Sequence, residues 1–518
     1  MLECVRKTVD ERLLKQSFLY TFIIGLVAHG YCFLNLLVSH DSLNDFYVSD
    51  QWERAGFGRI FYSIYISLTR GRIVLPWFIG VLTLCWIAVA VYLIVKLFDI
   101  KKCGLIFLIS GICVTNPTVY TLAATYIHDL DADMFAMLLS VSAVYCWYLA
   151  NQKSEMKPKA IWLLLGAVSL SVSLGIYQSF IALSITLVIF CSLKALLEQK
   201  EFKAVLANGC TAIGMMAVSA VMYIVELKVF EALTGVSTMN NATYNGVGNV
   251  TAAFSGNVAA NVFDTYKSFI GAFKNFITTS YPTMMSVVLL GVIACIMVVI
   301  ALLGLKEMDW KCRGLFVVLS AILPFAMNIT YFLSGGMAHV LTQYAVWMLY
   351  LLAVIFLVWY EKENHPLQIK KAVAIFLVCG LFFTVTENIQ AANTVYVKKD
   401  LEYQATLSYM TRVADHMEEQ EGYIPGETPV LIIGQNVIGI SKPGFERYGV
   451  LTGVSGNGSV TYQDTYKDYF KYVLARPVSL AYNDELKNSD EIINMPVFPE
   501  KGSVQMVDEV LVVKLADN

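Results

Sequence analysis

The sequence predicts an all-α polytopic membrane protein of about eleven transmembrane helices, N-terminus inside and C-terminus outside, carrying a small C-terminal extracytoplasmic α/β domain. Three observations lead there. The 518-residue chain is 57% hydrophobic and only 15% charged, against roughly 25% charged in ordinary soluble domains, and its mean hydropathy is +0.60. Eleven apolar runs are each long enough to cross a hydrocarbon core of roughly 30 Å. Basic residues are distributed unevenly between the two sets of connecting loops.

The runs lie at 17–38, 73–98, 104–125, 133–150, 160–176, 179–197, 204–225, 283–305, 314–333, 339–360 and 371–389. The first follows Arg6, Lys7, Arg12 and Lys15. It is too long for a signal-peptide core and no small-x-small cleavage site follows, so it reads as an uncleaved signal anchor. Asn116 and Pro117 predict a kink in the third run. The fifth and sixth runs are parted only by Gly175–Phe180, GIYQSF, either a tight outer turn or a reentrant break. With the N-terminus inside, the short inner loops hold nineteen Lys and Arg and the outer loops seven. The positive-inside rule then fixes N-in, and eleven crossings give C-out.

Four outward segments follow. The first is Ser39–Arg72, in which Asp41, Asp45, Asp50, Glu53, Arg54 and Arg59 crowd beside a span. Its second half places Phe57, Ile60, Phe61, Ile64 and Leu68 at helical spacing, as in an amphipathic helix lying in the interface. The second is Thr125–Asp133, containing HDLDAD; the third is the GIYQSF turn. The fourth runs from Glu226 to Pro282, rich in Gly, Asn, Thr and Ser, with a helix expected over 262–276. Beyond 390 the composition turns soluble, dividing the chain into a membrane domain, 1–390, and an α/β domain, 391–518. That second domain reads as an amphipathic helix over 395–420, a strand over 429–434, a helix over 463–474 and a hairpin over 503–515 bent near Asp508 and Glu509.

A formal charge of -3, with no basic tract interleaved with aromatics, excludes a nucleic-acid partner. The eleven cysteines stop at Cys379 and include no CxxC pair, so the long polar segments have no disulfide framework.

Acids at the outer ends of spans are the candidate catalytic groups. Asp41 directly follows its span, where partial desolvation raises a carboxyl pKa and suits it to act as a base. Asp45, Asp50 and Glu53 read as loop solvation or as partners for Arg54 and Arg59. In HDLDAD, Asp131 and Asp133 suit a helix cap and first turn, whereas His128 and Asp129 precede the helix. Asp129, Asp131 and Asp133 also alternate as a DxDxD divalent-cation site would. Arg59, Arg70 and Arg72 are either phosphate contacts or interfacial anchors. Tyr177 and Gln178 sit at the GIYQSF turn, and His339 and Gln343 lie one turn apart at the start of the tenth span, as lining residues.

An N-in span ending in Asp41, a long outer loop with Gly58 and Arg59, the acidic loop HDLDAD, the Tyr177–Gln178 turn and an outward terminal domain together resemble the bacterial serotype-converting, O-antigen-modifying glucosyltransferases. Those enzymes are similar in layout to the GT-C class of polytopic glycosyltransferases. The resemblance covers 17–390, and order and topology carry it. It implies inverting transfer of a hexose, with glucose first, from a polyprenyl-phosphate donor to a cell-envelope glycan outside the bacterial cytoplasmic membrane. It further implies Asp41 as catalytic base and Asp129 and its neighbours as the second acidic group. Arg59, Arg70, Arg72, His128, Asp131, Tyr177, Gln178, His339 and Gln343 are then the substrate contacts. A divalent cation is an option, not a requirement. Asp41 is followed by Ser42, not by the second acid of several GT-C branches. The competing readings are a transporter or lipid flippase, which would place ionisable groups near the midplane where this chain has chiefly His29, and a polymerase acting on lipid-linked glycans.

Overall fold

The computed structural model describes residues 10–39, 42–43, 53–238, 253–254, 257–279, 284–336, 339–363, 366–435, 460 and 463–517. Among them are eleven helical stretches long and apolar enough to cross a membrane. They comprise α1 (Glu11–Leu34), α3 (Pro76–Leu97), α4 (Cys103–Thr115) with α5 (Pro117–Thr125), α6 (Leu130–Asn151), α7 (Met156–Leu174), α8 (Ile181–Leu197) and α9 (Phe202–Thr234). They continue as α11 (Met284–Glu307), α12 (Trp310–Met327), α13 (Leu349–Lys362) with the turn Tyr344–Trp347 before it, and α14 (Leu367–Glu418). Two helices outside that set are α2 (Tyr62–Thr69) and α10 (Val258–Thr279).

The expected kink is the break between α4 and α5. Asn116 closes one helix and caps the next, its side chain accepting from Val119 N, and Pro117 takes the first-turn position where its missing N–H costs nothing. GIYQSF is a turn between two separate helices, α7 and α8. α1 and α4 pack against each other and both against α14. Gly111 on α4 allows this, since a Cβ there would lie 2.7 Å from the Val385 side chain of α14, the small-residue contact by which membrane helices approach closely. His29 is packed here and fully buried. Its Nε2 is 2.7 Å from the Val114 carbonyl, which only accepts; its Nδ1 therefore accepts from Tyr396 OH at 2.7 Å. Leu19, Ile23, Leu26 and Val27 of α1 face outward, as lipid-facing residues do.

Two expectations about the ends of elements are corrected. The amphipathic helix of the first outer segment is only α2, and its buried face is Tyr62, Tyr65 and Ile66, while Ile64 and Leu68 are 53% and 82% exposed. Aromatic packing against α6 takes one face of α2, and Ile64 and Leu68 are left on its outer surface. The helix expected over 395–420 is no separate element, because α14 continues unbroken for 52 residues. No glycine or proline stands between Leu381 and Glu418 to stop it. Buried polar residues mark the change of surroundings along it: Lys398 and Glu402 pair at 2.6 Å, and the Lys399 ammonium donates to the Ala124 carbonyl at the end of α5.

The end of α14 carries the small domain. Its sheet has the order β2 (Ser479–Leu480), β1 (Pro429–Ile433), β4 (Val510–Lys514), β3 (Val504–Val507). β1 runs parallel to β2 and β4, while β3 and β4 pair antiparallel. Asp508 and Glu509, at φ 47° and 64°, form the two-residue hairpin turn with both dihedrals positive that matches strand twist. Val38 and Leu43, just past the first span, join the core made by Tyr409, Met410, Val413 and the sheet. The domain therefore seats on the first outer segment.

Candidate active site

The polar centre lies where the first outer segment meets the N-terminus of α6. Asp129 occupies the N-cap position, but its side chain makes no capping bond. It turns instead to the arginines of the Glu53–Phe57 turn and the residues after it. Arg54 Nε donates to Asp129 Oδ2 at 3.2 Å, and Arg59 Nη1 stands 3.7 Å from the same oxygen. Arg54 Nη2 is 2.7 Å from His128 Nε2; since guanidinium only donates, Nε2 is the accepting ring nitrogen. Burial opposes ionisation of Asp129, but the charges of Arg54 and Arg59 outweigh it and hold the carboxyl well below the usual range.

A second pair stands behind the first. Arg70 Nε reaches both carboxylate oxygens of Asp131, at 3.3 Å and 3.1 Å, with side-chain exposures of 1% and 0%. The remaining Arg70 nitrogens donate to the Ile73 carbonyl at 3.0 Å and to the His128 carbonyl. Tyr65 OH donates to Asp131 at 3.1 Å and accepts from Trp86 Nε1 at 2.9 Å. Tyr62 OH also donates to the His128 carbonyl, at 3.2 Å. Each nitrogen of Arg70's fork thus has an acceptor, and its guanidinium fastens α2 and the following loop to α6.

Arg59 is placed differently. Its guanidinium lies 4.6 Å above the Tyr177 ring, a cation–π contact. Burial raises the Tyr177 hydroxyl pKa, so the ring stays neutral. Arg59 Nε meets no acceptor among the described residues, and the side chain is 18% exposed. The backbone beside it is clamped from two helices. Gln178 Nε2 donates to the Phe57 carbonyl at 2.8 Å and to Tyr223 OH at 3.0 Å, and Tyr223 OH donates to the Gly58 carbonyl at 3.0 Å. Gly58 has φ 79°, where a side chain would be strained. On the other side Phe61 N donates to the Gly175 carbonyl at 2.8 Å, and a Cβ on Gly175 would fall 2.4 Å from the Phe61 ring.

His128, Asp129, Asp131, Arg59, Arg70, Tyr177 and Gln178 are therefore one cluster. The 339–343 segment borders it, since Tyr177 OH donates to the Leu341 carbonyl at 3.3 Å. Within that segment His339 is exposed, whereas Gln343 is buried and donates to Asn328 Oδ1 at 3.2 Å. Arg72 is exposed beyond the cluster. Asp41, Asp45 and Asp50 lie outside the described residues. Their described neighbour Ser39 donates from Oγ to the Thr125 carbonyl at 2.7 Å, four residues before Asp129. Residues the sequence reading did not assign to the site are Arg54, Tyr62, Tyr65, Trp86 and Tyr223. Arg54 stood among nearby acids in its own loop that were enough to account for it; the only pointer was its place five residues before Arg59.

Among the described residues no group of three or more His, Cys, Asp or Glu side chains is arranged to hold a metal ion. On a helix the DxDxD spacing places alternate residues about 200° apart. Asp131 accordingly faces Arg70, while Asp129 faces Arg54 and Arg59.

The comparisons with known proteins settle the family. Residues 30–360 match the family model described as Glucosyl transferase GtrII. The chain belongs to the GtrII glucosyl transferase family. It is an integral membrane glucosyltransferase, and the family implies glucosyl transfer in O-antigen modification. No curated protein and no solved structure matches the chain. The GtrII match contains the whole arginine–aspartate cluster and ends before α14, so the long helix and the sheet domain lie beyond it.

Proposed function

We propose that this GtrII-family enzyme transfers glucose from a polyprenyl-phosphate donor to a cell-envelope glycan, in one inverting displacement, on the extracytoplasmic side of the bacterial cytoplasmic membrane. The observation that carries the reading is Arg59: a partly exposed guanidinium seated on Tyr177, its preceding backbone held by Gln178 and Tyr223, with an Nε that meets no acceptor among the described residues. A cation held ready at the end of the spans suits a lipid phosphate. The excess of basic residues in the opposite set of loops supports the outward side.

In this mechanism Asp41 takes the proton of the acceptor hydroxyl. The acceptor oxygen then forms its bond to the anomeric carbon as the bond from that carbon to the phosphate oxygen breaks, and the polyprenyl phosphate leaves with the electron pair. A phosphate leaving group needs no protonation, so one base and one cation site suffice. Asp129, kept ionised by its arginines, orients the acceptor or the sugar. The hydrogen bond from Ser39 to Thr125 supports treating the first outer segment and the Asp129 turn as parts of one site.

The test uses membranes containing the enzyme and polyprenyl-phosphoglucose. Asp41→Asn is expected to cut turnover by about a hundredfold or more with expression unchanged, and the product is expected to have the opposite anomeric configuration to the donor. Full turnover by the variant removes the base assignment. Retention of configuration removes the single displacement.

A further inference from the structure

Three carboxylates share the start of α6, and two are taken. Asp129 holds Arg54 and Arg59, and Asp131 holds Arg70 and Tyr65. Asp133 is the third. Its backbone N–H bonds to the Asp129 carbonyl at 2.9 Å, so the two side chains are neighbours on one helix face. Asp133 is only 2% exposed, yet it has no ion pair and no side-chain hydrogen bond among the described residues. A carboxylate buried without a partner is costly, and such a group calls for an explanation.

The surroundings supply one. Asp129, its neighbour on that face, stands 3.7 Å from Arg59 Nη1, so Asp133 and Arg59 belong to the same cluster. Two further polar atoms of the same cluster are also without partners: Arg59 Nε, and Oδ1 of Asp129, itself 3% exposed. Neighbouring polar groups that lack partners call for a ligand with several hydrogen-bonding groups of its own. The cluster offers both kinds of polar group: Asp129 Oδ1 and the Asp133 carboxyl as acceptors, and Arg59 Nε as a donor. Neighbouring hydroxyls satisfy both sides, one donating to a carboxylate while the next accepts from the guanidinium.

We propose that Asp133 and Arg59, with Asp129 Oδ1, form the subsite that grips the hydroxyls of the transferred sugar, so that Asp133 is a sugar-recognising residue of this enzyme. The inference rests on the reading of Arg59 as the phosphate contact, which puts the sugar one bond away from that cation.

The test is binding of two probes to the full-length protein in lipid nanodiscs: polyprenyl-phosphoglucose and bare polyprenyl phosphate. Asp133→Asn is expected to weaken binding of the sugar-bearing lipid by about tenfold to a hundredfold, the worth of a hydrogen bond to a charged group, and to leave the bare lipid phosphate unchanged. Because Asp133 holds no partner among the described residues, its Asn variant is also expected to unfold at or above the wild-type temperature. Undiminished preference for the sugar-bearing lipid in Asp133→Asn overturns the proposal. A loss of thermal stability as large as that of Asp131→Asn overturns it too, by making Asp133 structural. Arg59→Gln separates the two readings: normal binding of bare polyprenyl phosphate with lost preference for the sugar refutes the phosphate role while supporting the subsite.

Discussion

Asp131→Asn isolates what the buried pair contributes to the fold. Asp131 pairs with Arg70 at 3.1 Å, and both side chains are essentially sealed from solvent. Asparagine keeps the shape and one acceptor oxygen but removes the charge, leaving a guanidinium buried without its counter-ion and the Tyr65–Trp86 chain ending on a weaker acceptor. Removing one partner of a buried pair typically costs about 3–5 kcal/mol. Replacing both by apolar residues is often neutral, because the desolvation of two ions disappears with their attraction. Asp131→Asn and Arg70→Met are therefore each expected to lower the unfolding temperature of the detergent-solubilised protein by several degrees. The double variant Arg70→Met with Asp131→Leu is expected to recover most of that loss. The measurement is a thermal melt followed by size-exclusion chromatography, read as a double-mutant cycle. A single variant that melts with the wild type, or a double variant that loses the sum of the two singles, refutes the reasoning.

Other predictions address the site. Tyr223→Phe and Gln178→Ala remove the bonds that fix the Phe57 and Gly58 carbonyls; each is expected to raise the KM for the lipid donor severalfold with a smaller change in kcat, and unchanged steady-state constants would show that Arg59 needs no such support. Asp129 has a depressed pKa, so its stabilising contribution is complete above the unfolded carboxylate pKa of about 4 and is lost as pH falls through the lower folded value. The acid limb of the rate profile above about pH 5 should then come from another group: Asp129→Asn is expected to lower the rate without moving that limb, and a moved limb would assign it to Asp129. Treatment with a chelator is expected to leave turnover intact, since Asp129 and Asp131 face separate arginines; loss of activity that magnesium or manganese restores would point to a cation site elsewhere.

Much of the architecture was legible along the chain because each span is a local event. An apolar run of about twenty residues must satisfy its backbone within itself in lipid, so it is a helix wherever it sits. The kink at Asn116–Pro117 and the hairpin bend at Asp508–Glu509 were equally local, set by a missing N–H and by turn dihedrals. The single helix from Leu367 to Glu418 was not. Its composition changes from lipid-facing to domain-facing near residue 390, and the pattern cannot show that the backbone runs straight through that change.

For the site, sequence order alone brought Asp129, Arg59, Tyr177 and Gln178 forward, because charged and amide groups at the ends of apolar spans are conspicuous against so little charge. It could not allot partners among them. Three arginines and three aspartates permit several pairings, and the choice depends on where α2 and the Gly175 turn dock against α6. Those contacts seal Arg70 against Asp131, bring Arg54 to Asp129 across a separation of 75 residues, and leave Arg59 on the Tyr177 ring. The sequence by itself determined that this is a membrane helix bundle with its polar groups gathered at the ends of spans, because hydrophobicity and backbone satisfaction act residue by residue. Only the tertiary structure decided which charges are fastened to each other and which remain for a substrate, because a pairing energy exists only where packing has already brought two side chains together and removed the water between them.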